Sequence, residues 1–281
     1  MNYLETINYG NKILKSHKIN SYNLDSELIL ANVLNSTREE ILTNLDKKVD
    51  NINFNKYNKL IFRRKNNEPL AYILQNKEFW KNNFIVDKNV LIPRPETEII
   101  VDEVLKLTNF NSSKQFLDIG TGSGCIILSV IKERPKSRGT AIEISKKALK
   151  VAITNAKMHH LENKIKFINN DVDKHYYNKY DFILSNPPYI DVFNLKRLEK
   201  NVRLYEPILA LKAGINGLSE IKKIIYKSKK LLKLKGKLIF EIGNNQMLES
   251  VILLKKHGFY INKICKDIQF LPRVIISTKI K

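Results

Sequence analysis

A chain of 281 residues can bury a full core, and domain-size statistics allow one large domain or a large one with a small one, of which the second is expected. Two cysteines, Cys125 and Cys265, are too few and too far apart for a metal centre or a disulfide framework, which excludes those classes and points to a reducing compartment. The net charge of +21 and pI near 9.7 would suit a nucleic-acid binder, but the excess is mostly lysine spread along the whole length among abundant Ile and Asn, the pattern of a coding bias.

Met1-Asn2-Tyr3-Leu4-Glu5 begins neither a signal peptide nor an apolar run of membrane-spanning length, so a soluble, cytoplasmic protein with no membrane partner is expected. Residues 1 to about 67 read as short helices. Leu4, Ile7, Ile13 and Leu14 fall near helical spacing, and Leu24, Leu28, Ala31 and Leu34 form a second stripe. Ser36 with Glu39 reads as a capping box opening a short helix through Ile41 and Leu42. A further helix is expected from about Phe54 until Asn67-Glu68-Pro69 ends it, because the residue before proline avoids helical angles. This bundle, residues 1–75, carries no nucleotide motif and is expected to recognise a partner.

The pattern changes over residues 76–95. Phe79-Trp80 and Phe84-Ile85-Val86 flank Lys81-Asn82-Asn83, which predicts a β-hairpin turning on the asparagines and acting as a linker. Pro93 and Pro95 then stiffen the approach to a helix whose first turn holds Glu96 and Glu98, favourably placed on its dipole. Arg94 is a candidate tie between the hairpin and the domain after it. Residues 96–281 form the third segment and alternate strand with helix. Strands are expected near 115–119, 139–143, 165–168, 180–185 and 237–242, and helices near 124–133, 145–159, 219–233 and 245–257. That alternation predicts an α/β fold with a parallel, Rossmann-like sheet and helices on both faces. Apolar segments at 259–265 and 273–280 are expected to add a hairpin at the sheet edge, and the lysines between Lys222 and Lys237 to form a solvated helix face.

Three stretches carry chemistry. Strand 115–119 runs into Gly120-Thr121-Gly122-Ser123-Gly124, whose glycines let a ligand approach the backbone and the helix amino end. The spacing is G-x-G-x-G instead of the G-x-G-x-x-G of dinucleotide sites, which favours S-adenosylmethionine over NAD as cofactor. Glu143 ends the next strand, about where a carboxylate reaches both ribose hydroxyls of a nucleoside. Asn170-Asp171-Val172 follows the third strand, with Asp171 placed to accept from an adenine amine and Val172 to pack on the ring. Asn186-Pro187-Pro188-Tyr189 ends the fourth. Two prolines remove two donors, so the Asn186 side-chain oxygen and the Pro187 carbonyl form a pair of acceptors for a planar NH2 group, with the Tyr189 ring against its face. Cys125 reads as a small residue behind the glycine loop, and the histidines show no metal-ligand spacing.

Together these loops describe methyl transfer to an amino group, and here the sequence resembles the release-factor glutamine N5-methyltransferases (PrmC, also called HemK). The resemblance runs through Glu68-Pro69-Leu70-Ala71-Tyr72-Ile73, Leu91-Ile92-Pro93-Arg94-Pro95-Glu96-Thr97-Glu98, Leu117 to Gly124, Ser185 to Ile190, and Phe240-Glu241-Ile242-Gly243 before Gln246. It implies the glutamine of the Gly-Gly-Gln loop in peptide-chain release factors as substrate and an amino-terminal helical domain that helps bind the factor. It also implies cofactor contacts at Gly120 to Gly124, Glu143, Asp171, Val172 and Asn186, and substrate contacts at Asn186 to Tyr189, with no metal and no need for nucleic acid. Four positions depart from the family pattern. Glu143 stands where Asp is commoner, Val172 where an aromatic is frequent, Lys235-Gly236 lacks a Pro-Gly-Gly turn, and Phe270 replaces a glycine near Arg273. Two rival readings stand beside it: a methyltransferase acting on the amino group of adenine or guanine in DNA or rRNA, and a non-catalytic S-adenosylmethionine- or RNA-binding protein.

Overall fold

The computed structural model describes residues 1–176, 179–214 and 216–281, and they divide into two compact units. Unit one comprises Met1–Gln75 and Glu199–Tyr205; unit two comprises Asn76–Leu198 and Glu206–Lys281. Among the described residues no helix is long and apolar enough to cross a membrane.

Unit one contains five helices from the amino-terminal stretch: α1 (Tyr3–Ser16), α2 (Tyr22–Leu34), α3 (Arg38–Leu42), α4 (Asn51–Lys65) and α5 (Leu70–Leu74). Leu14, Ile29, Leu30, Tyr57 and Ile61 are fully enclosed at its centre, and burying each of the four aliphatic side chains is worth about 1.5–3 kcal/mol. The expected stripe on α2 is rotated. Leu24 is exposed, and the buried face is Asp25, Ser26, Ile29, Leu30 and Ala31, because Asp25 is drawn inward by the Arg64 Nε donor of α4 at 2.6 Å and the Ser21 hydroxyl at 2.8 Å. The capping box lies one residue later than Ser36/Glu39: Thr37 Oγ1 accepts from Glu40 N, and the Glu40 carboxylate accepts from Thr37 N. Ser36 N is unavailable for that role, since it donates to Ala31 O to close α2 behind the left-handed Asn35. Helix α4 starts at Asn51 instead of Phe54, because Asp50 caps it through Asn53 N.

Unit two opens with a short hairpin, β1 (Lys77–Phe79) and β2 (Asn82–Phe84). Its turn falls on Trp80-Lys81, with Asn82 and Asn83 inside the second strand, so the asparagine turn is corrected by one position. Trp80 adopts φ +54°, an uncommon conformation for a bulky residue, and two carboxylates hold it there: Trp80 N donates to Glu98 Oε1 at 2.7 Å and its indole Nε1 to Glu133 Oε1 at 3.2 Å. Glu98 thus secures the hairpin as well as opening α6 (Glu98–Lys106). The sequence sets residues 76–95 apart as a linker, but in the structure they belong to the sheet unit. Phe79 and Phe84 are enclosed in one core with Phe116 and Ile127, leaving the hairpin no independent position.

The chain then gives β3 (Gln115–Ile119), α7 (Cys125–Glu133), β4 (Arg138–Glu143), α8 (Lys146–Met158), β5 (Ile165–Asn169) and β6 (Tyr180–Ser185). After α9 (Lys200–Tyr205), grouped with unit one, come α10 (Ile208–Leu211), α11 (Ser219–Leu231), β7 (Leu232–Glu241), α12 (Met247–Lys256), β8 (Phe259–Lys266) and β9 (Pro272–Lys279). The seven-stranded sheet has the order β5-β4-β3-β6-β7-β9-β8, parallel from β5 through β7 and antiparallel where β9 inserts between β7 and β8. The predicted edge hairpin is therefore present. Successive residues of β3 serve opposite faces: Phe116 packs with α6 and α7, Leu117 with α11 and α12. Lys235 (φ +64°) and Phe270 (φ +61°), at two of the departures from the family pattern, adopt left-handed backbone without being the residue that does so most readily.

One expected outcome concerns the Arg64–Asp25 pair, whose side chains are 12% and 4% exposed. Arg64→Ala strands a buried carboxylate and should cost about 3–5 kcal/mol. Arg38→Ala, which breaks the more open pair with Glu27, should cost under about 1 kcal/mol. Hydrogen exchange of the α2 and α4 amides under mild urea measures both; equal losses would refute the distinction.

Candidate active site

The crossovers part between β3 and β6: β4 and β5 lie to one side of β3, β6 and β7 to the other. Loops leaving the carboxyl ends of β3 and β6 diverge there, and this is where open α/β sheets bind ligands. A cavity of about 390 Å³ occupies the place, and the glycine loop and the Asn-Pro-Pro loop both line it. Ser185 Oγ donates to Ile119 O at 2.8 Å, fixing the two strand ends together.

Gly120, Thr121, Gly122 and Ser123 line the cavity, while Gly124 does not. The glycines differ in purpose. A Cβ on Gly122 (φ +57°) would enter open space, whereas one on Gly124 would meet Leu128 Cδ1 at 2.8 Å and Ala152 Cβ at 3.4 Å. Gly122 leaves a space for a ligand, and Gly124 lets α7 pack against α8. Asn155 of α8, wholly buried, steadies the loop: its Nδ2 donates to Ser123 O and Ile85 O, and its Oδ1 accepts from Ile85 N.

Glu143 lines the cavity at the end of β4, its oxygens accepting from Gly122 N at 3.0 Å and Ser145 N at 2.9 Å. Each carboxylate oxygen keeps a further lone pair for a ligand hydroxyl. Asp171 and Val172 line the wall beyond β5. Val172 is buried; Asp171 meets Lys223 Nζ of α11 at 2.6 and 2.7 Å through its two oxygens and accepts from Asp173 N. Burial opposes ionisation of Asp171, but the Asp173 amide and the Lys223 ammonium outweigh it and hold the carboxyl below its ordinary value. Lys223 and Lys227 therefore turn inward, which corrects the expectation of a wholly solvated lysine face. Lys227 is buried and donates to Asp173 O.

Asn186, Pro187 and Pro188 line the cavity, whereas Tyr189 stands outside it and Gln246 Nε2 donates to its carbonyl at 3.0 Å. Burial pushes the Tyr189 hydroxyl up to about 12, with Glu241 adding to the shift. The Asn186 side chain is oriented from behind. Thr97 Oγ1 donates to Glu241 Oε2 at 2.6 Å, and Asn186 Nδ2 donates to Thr97 Oγ1 at 2.9 Å. Having committed its one proton to a carboxylate, Thr97 offers Asn186 only lone pairs, so the carboxamide must turn its NH2 toward it. Its Oδ1 then accepts from no donor among the described residues. Glu241 is almost wholly buried at the end of β7, and burial pushes it up to about 7 against the Thr97 hydroxyl, Arg273 and Arg94, with Glu96 adding to the rise.

Family descriptions match at both ends of this arrangement: a PrmC N-terminal domain over residues 5–74 and a methyltransferase small domain over residues 97–200. A release factor glutamine methyltransferase of Clostridium acetobutylicum is 34% identical over 270 residues, 95% of this chain and 95% of that protein. The chain belongs to the release factor glutamine methyltransferase family. A bifunctional methyltransferase of Rickettsia bellii is 35% identical over 299 residues, 96% of this chain but 53% of the relative, so the chain spans about half the length of relatives of that kind. A methyltransferase from Pyrococcus furiosus shares the fold, with a TM-score of 0.52 at 17% identity over 70% of this chain and 89% of that one.

Thr97, Glu241, Lys223 and Glu206 are the site-forming residues to which sequence reasoning gave no role. A glutamate closing the apolar run Leu238-Ile239-Phe240 was the visible signal for Glu241, since a carboxylate in a buried strand requires a partner. Arg94 ties its segment to Glu206 instead of to the hairpin, donating to Glu206 Oε1 at 2.6 Å, while Ile92 N donates to Oε2 at 3.3 Å. The Glu206 side chain is 1% exposed. Glu206→Ala should thus remove the anchor of residues 92–97 and cost about 1.5–3 kcal/mol in urea unfolding, since the Arg94 left behind is one-third exposed and can be hydrated, and Glu206→Gln, which keeps one acceptor, should cost less. A Glu206→Ala protein as stable as the wild type would contradict the anchoring role.

Proposed function

We propose that this chain transfers a methyl group from S-adenosylmethionine to the side-chain amide nitrogen (N5) of the glutamine in the Gly-Gly-Gln motif of peptide-chain release factors, in the cytoplasm, supporting translation termination. The observation that carries this reading is the Asn186 carboxamide, its NH2 donated to Thr97 and its Oδ1 open, beside a glycine cradle at the parting of the sheet.

The cavity fits the cofactor on three counts. Gly120 and Gly122 leave open space where side chains would project, Glu143 keeps lone pairs for a ribose diol, and Val172 offers a buried apolar wall for an adenine ring beside Asp171. When bound, S-adenosylmethionine supplies an electrophilic sulfonium methyl. The chain's own residues act on the glutamine. Its nitrogen is a poor nucleophile because the lone pair is delocalised into the carbonyl. Asn186 Oδ1 and the Pro187 carbonyl accept its two N–H hydrogens, which raises electron density on nitrogen and aims it for in-line displacement. Holding the reactants in near-attack geometry supplies up to roughly 7–11 kcal/mol in the best intramolecular cases. After transfer the nitrogen is cationic and loses its proton to water. Two acceptors with no donor also discriminate, since they admit an NH2 group and repel a carboxylate. Tyr189 braces the loop from outside, with its carbonyl held by Gln246. Residues 1–75 are assigned to recognition of the release factor.

Labelled S-adenosylmethionine incubated with a release factor or with nucleic acid tests the reading directly. Label should enter the factor and be lost when its Gly-Gly-Gln glutamine is replaced; label in nucleic acid alone would favour the nucleobase reading. Asn186→Ala should lower kcat about a hundredfold or more while cofactor affinity changes little. Glu143→Ala should weaken cofactor binding by about tenfold or more in calorimetry, through lost ribose bonds and a loosened Gly122 amide. Near-normal turnover in the first or an unchanged affinity in the second would remove the corresponding role.

A further inference from the structure

Glu241, Thr97 and Asn186 form a hydrogen-bonded chain running from the interior of unit two to the cavity wall. Glu241 and Thr97 are each 2% exposed, and the two contacts measure 2.6 and 2.9 Å. A carboxamide has one acceptor and one donor end that are nearly alike in shape, so packing alone discriminates poorly between its two orientations. The discrimination must come from a neighbour whose own polarity is fixed. Thr97 is such a neighbour only while Glu241 takes its proton.

We propose that Thr97 and Glu241 are positioning residues that set the polarity of the Asn186 carboxamide, so that the site presents an acceptor to the substrate amide only while Glu241 is ionised. The inference rests on the amide-methylating reading above and names what controls it. A protonated Glu241 can donate to Thr97 Oγ1, which frees the Thr97 proton for Asn186 Oδ1. The carboxamide then turns over and presents NH2, a donor facing the donor hydrogens of the substrate. The charged groups bearing on Glu241 are Arg273 of β9, Arg94 and Glu96 of the segment before α6, and Tyr189 of the cavity loop. Burial, the largest influence, holds Glu241 at about 7, so the switch falls near neutrality. Ionised Glu241 predominates above that value, so methyl transfer declines as pH falls through it.

Thr97→Val keeps the shape and removes the hydroxyl; Thr97→Ser keeps the hydroxyl. With a release factor as substrate, Thr97→Val should lower kcat about tenfold or more and flatten its rise across pH 7, with KM for the factor and cofactor affinity within about twofold. Thr97→Ser should recover most of the rate and the pH dependence, which a merely structural contact would not require. A second measurement needs no substrate. The Asn186 side-chain NH2 resonances, assigned by their loss in Asn186→Ala, should shift with pH around 7 in the wild type and not in Thr97→Val. A Thr97→Val protein with wild-type kcat, or an Asn186 resonance pair that titrates unchanged in it, would overturn the proposal. Wild-type protein that leaves the factor unlabelled while the Asn186 resonances behave as described would instead count against the substrate assignment.

Discussion

The parting of the chain between β3 and β6 is the constraint on which the rest of unit two depends. Crossover connections are right-handed, so turning β4 and β5 to one side and β6 and β7 to the other sends successive loops apart at one edge. A space that no side chain must fill results. The Ser185 hydroxyl on Ile119 O closes the strands beneath that space, and the glycine loop and the two prolines bound it. Each wall is stiff for its own reason: the first because α7 packs on α8 at Gly124, the second because proline fixes its backbone angles.

The site is held by polar groups reaching across long stretches of sequence. Thr97 and Glu241 are 144 residues apart, Ile92 and Glu206 are 114, and Ile85 and Asn155 are 70. A buried carboxylate left alone would be neutralised or would destabilise the fold. Glu241 and Glu206 therefore each require a donor, and both draw it from residues 92–97. That segment, stiffened by Pro93 and Pro95, joins the end of β7 to the cavity.

What could be read from sequence and what could not divides along the same line. Strands 115–119 and 180–185 announce themselves through local apolar runs, and the glycine and proline loops through residues with unusual backbone freedom or rigidity. Those features are decided within a few residues. The buried face of α2 was not legible, because Asp25 turns inward only once Arg64, 39 positions away, is present. The hairpin turn on Trp80 was not legible either, since a bulky residue at positive φ is tolerated there through Glu98 and Glu133. The shift of the capping box from Ser36 to Thr37 belongs to an intermediate kind: two overlapping boxes fit S-T-R-E-E, and the end of the preceding helix chooses between them.

Charge shows how far a global property departs from a local one. The chain carries +21, yet the charged residues lining the cavity are Glu143, Asp171 and Glu220 against Lys212 and Lys223, one negative charge in excess. Glu241 stands behind that lining and adds a buried carboxyl group. A cavity of this sign is compatible with a cationic ligand such as a sulfonium. Surface lysines act through solvent and salt, which screen them within about 8–10 Å, while the cavity's own carboxylates act at hydrogen-bond distance. The charge that a ligand meets inside the cavity is accordingly set by the few groups that face it and not by the lysine-rich surface.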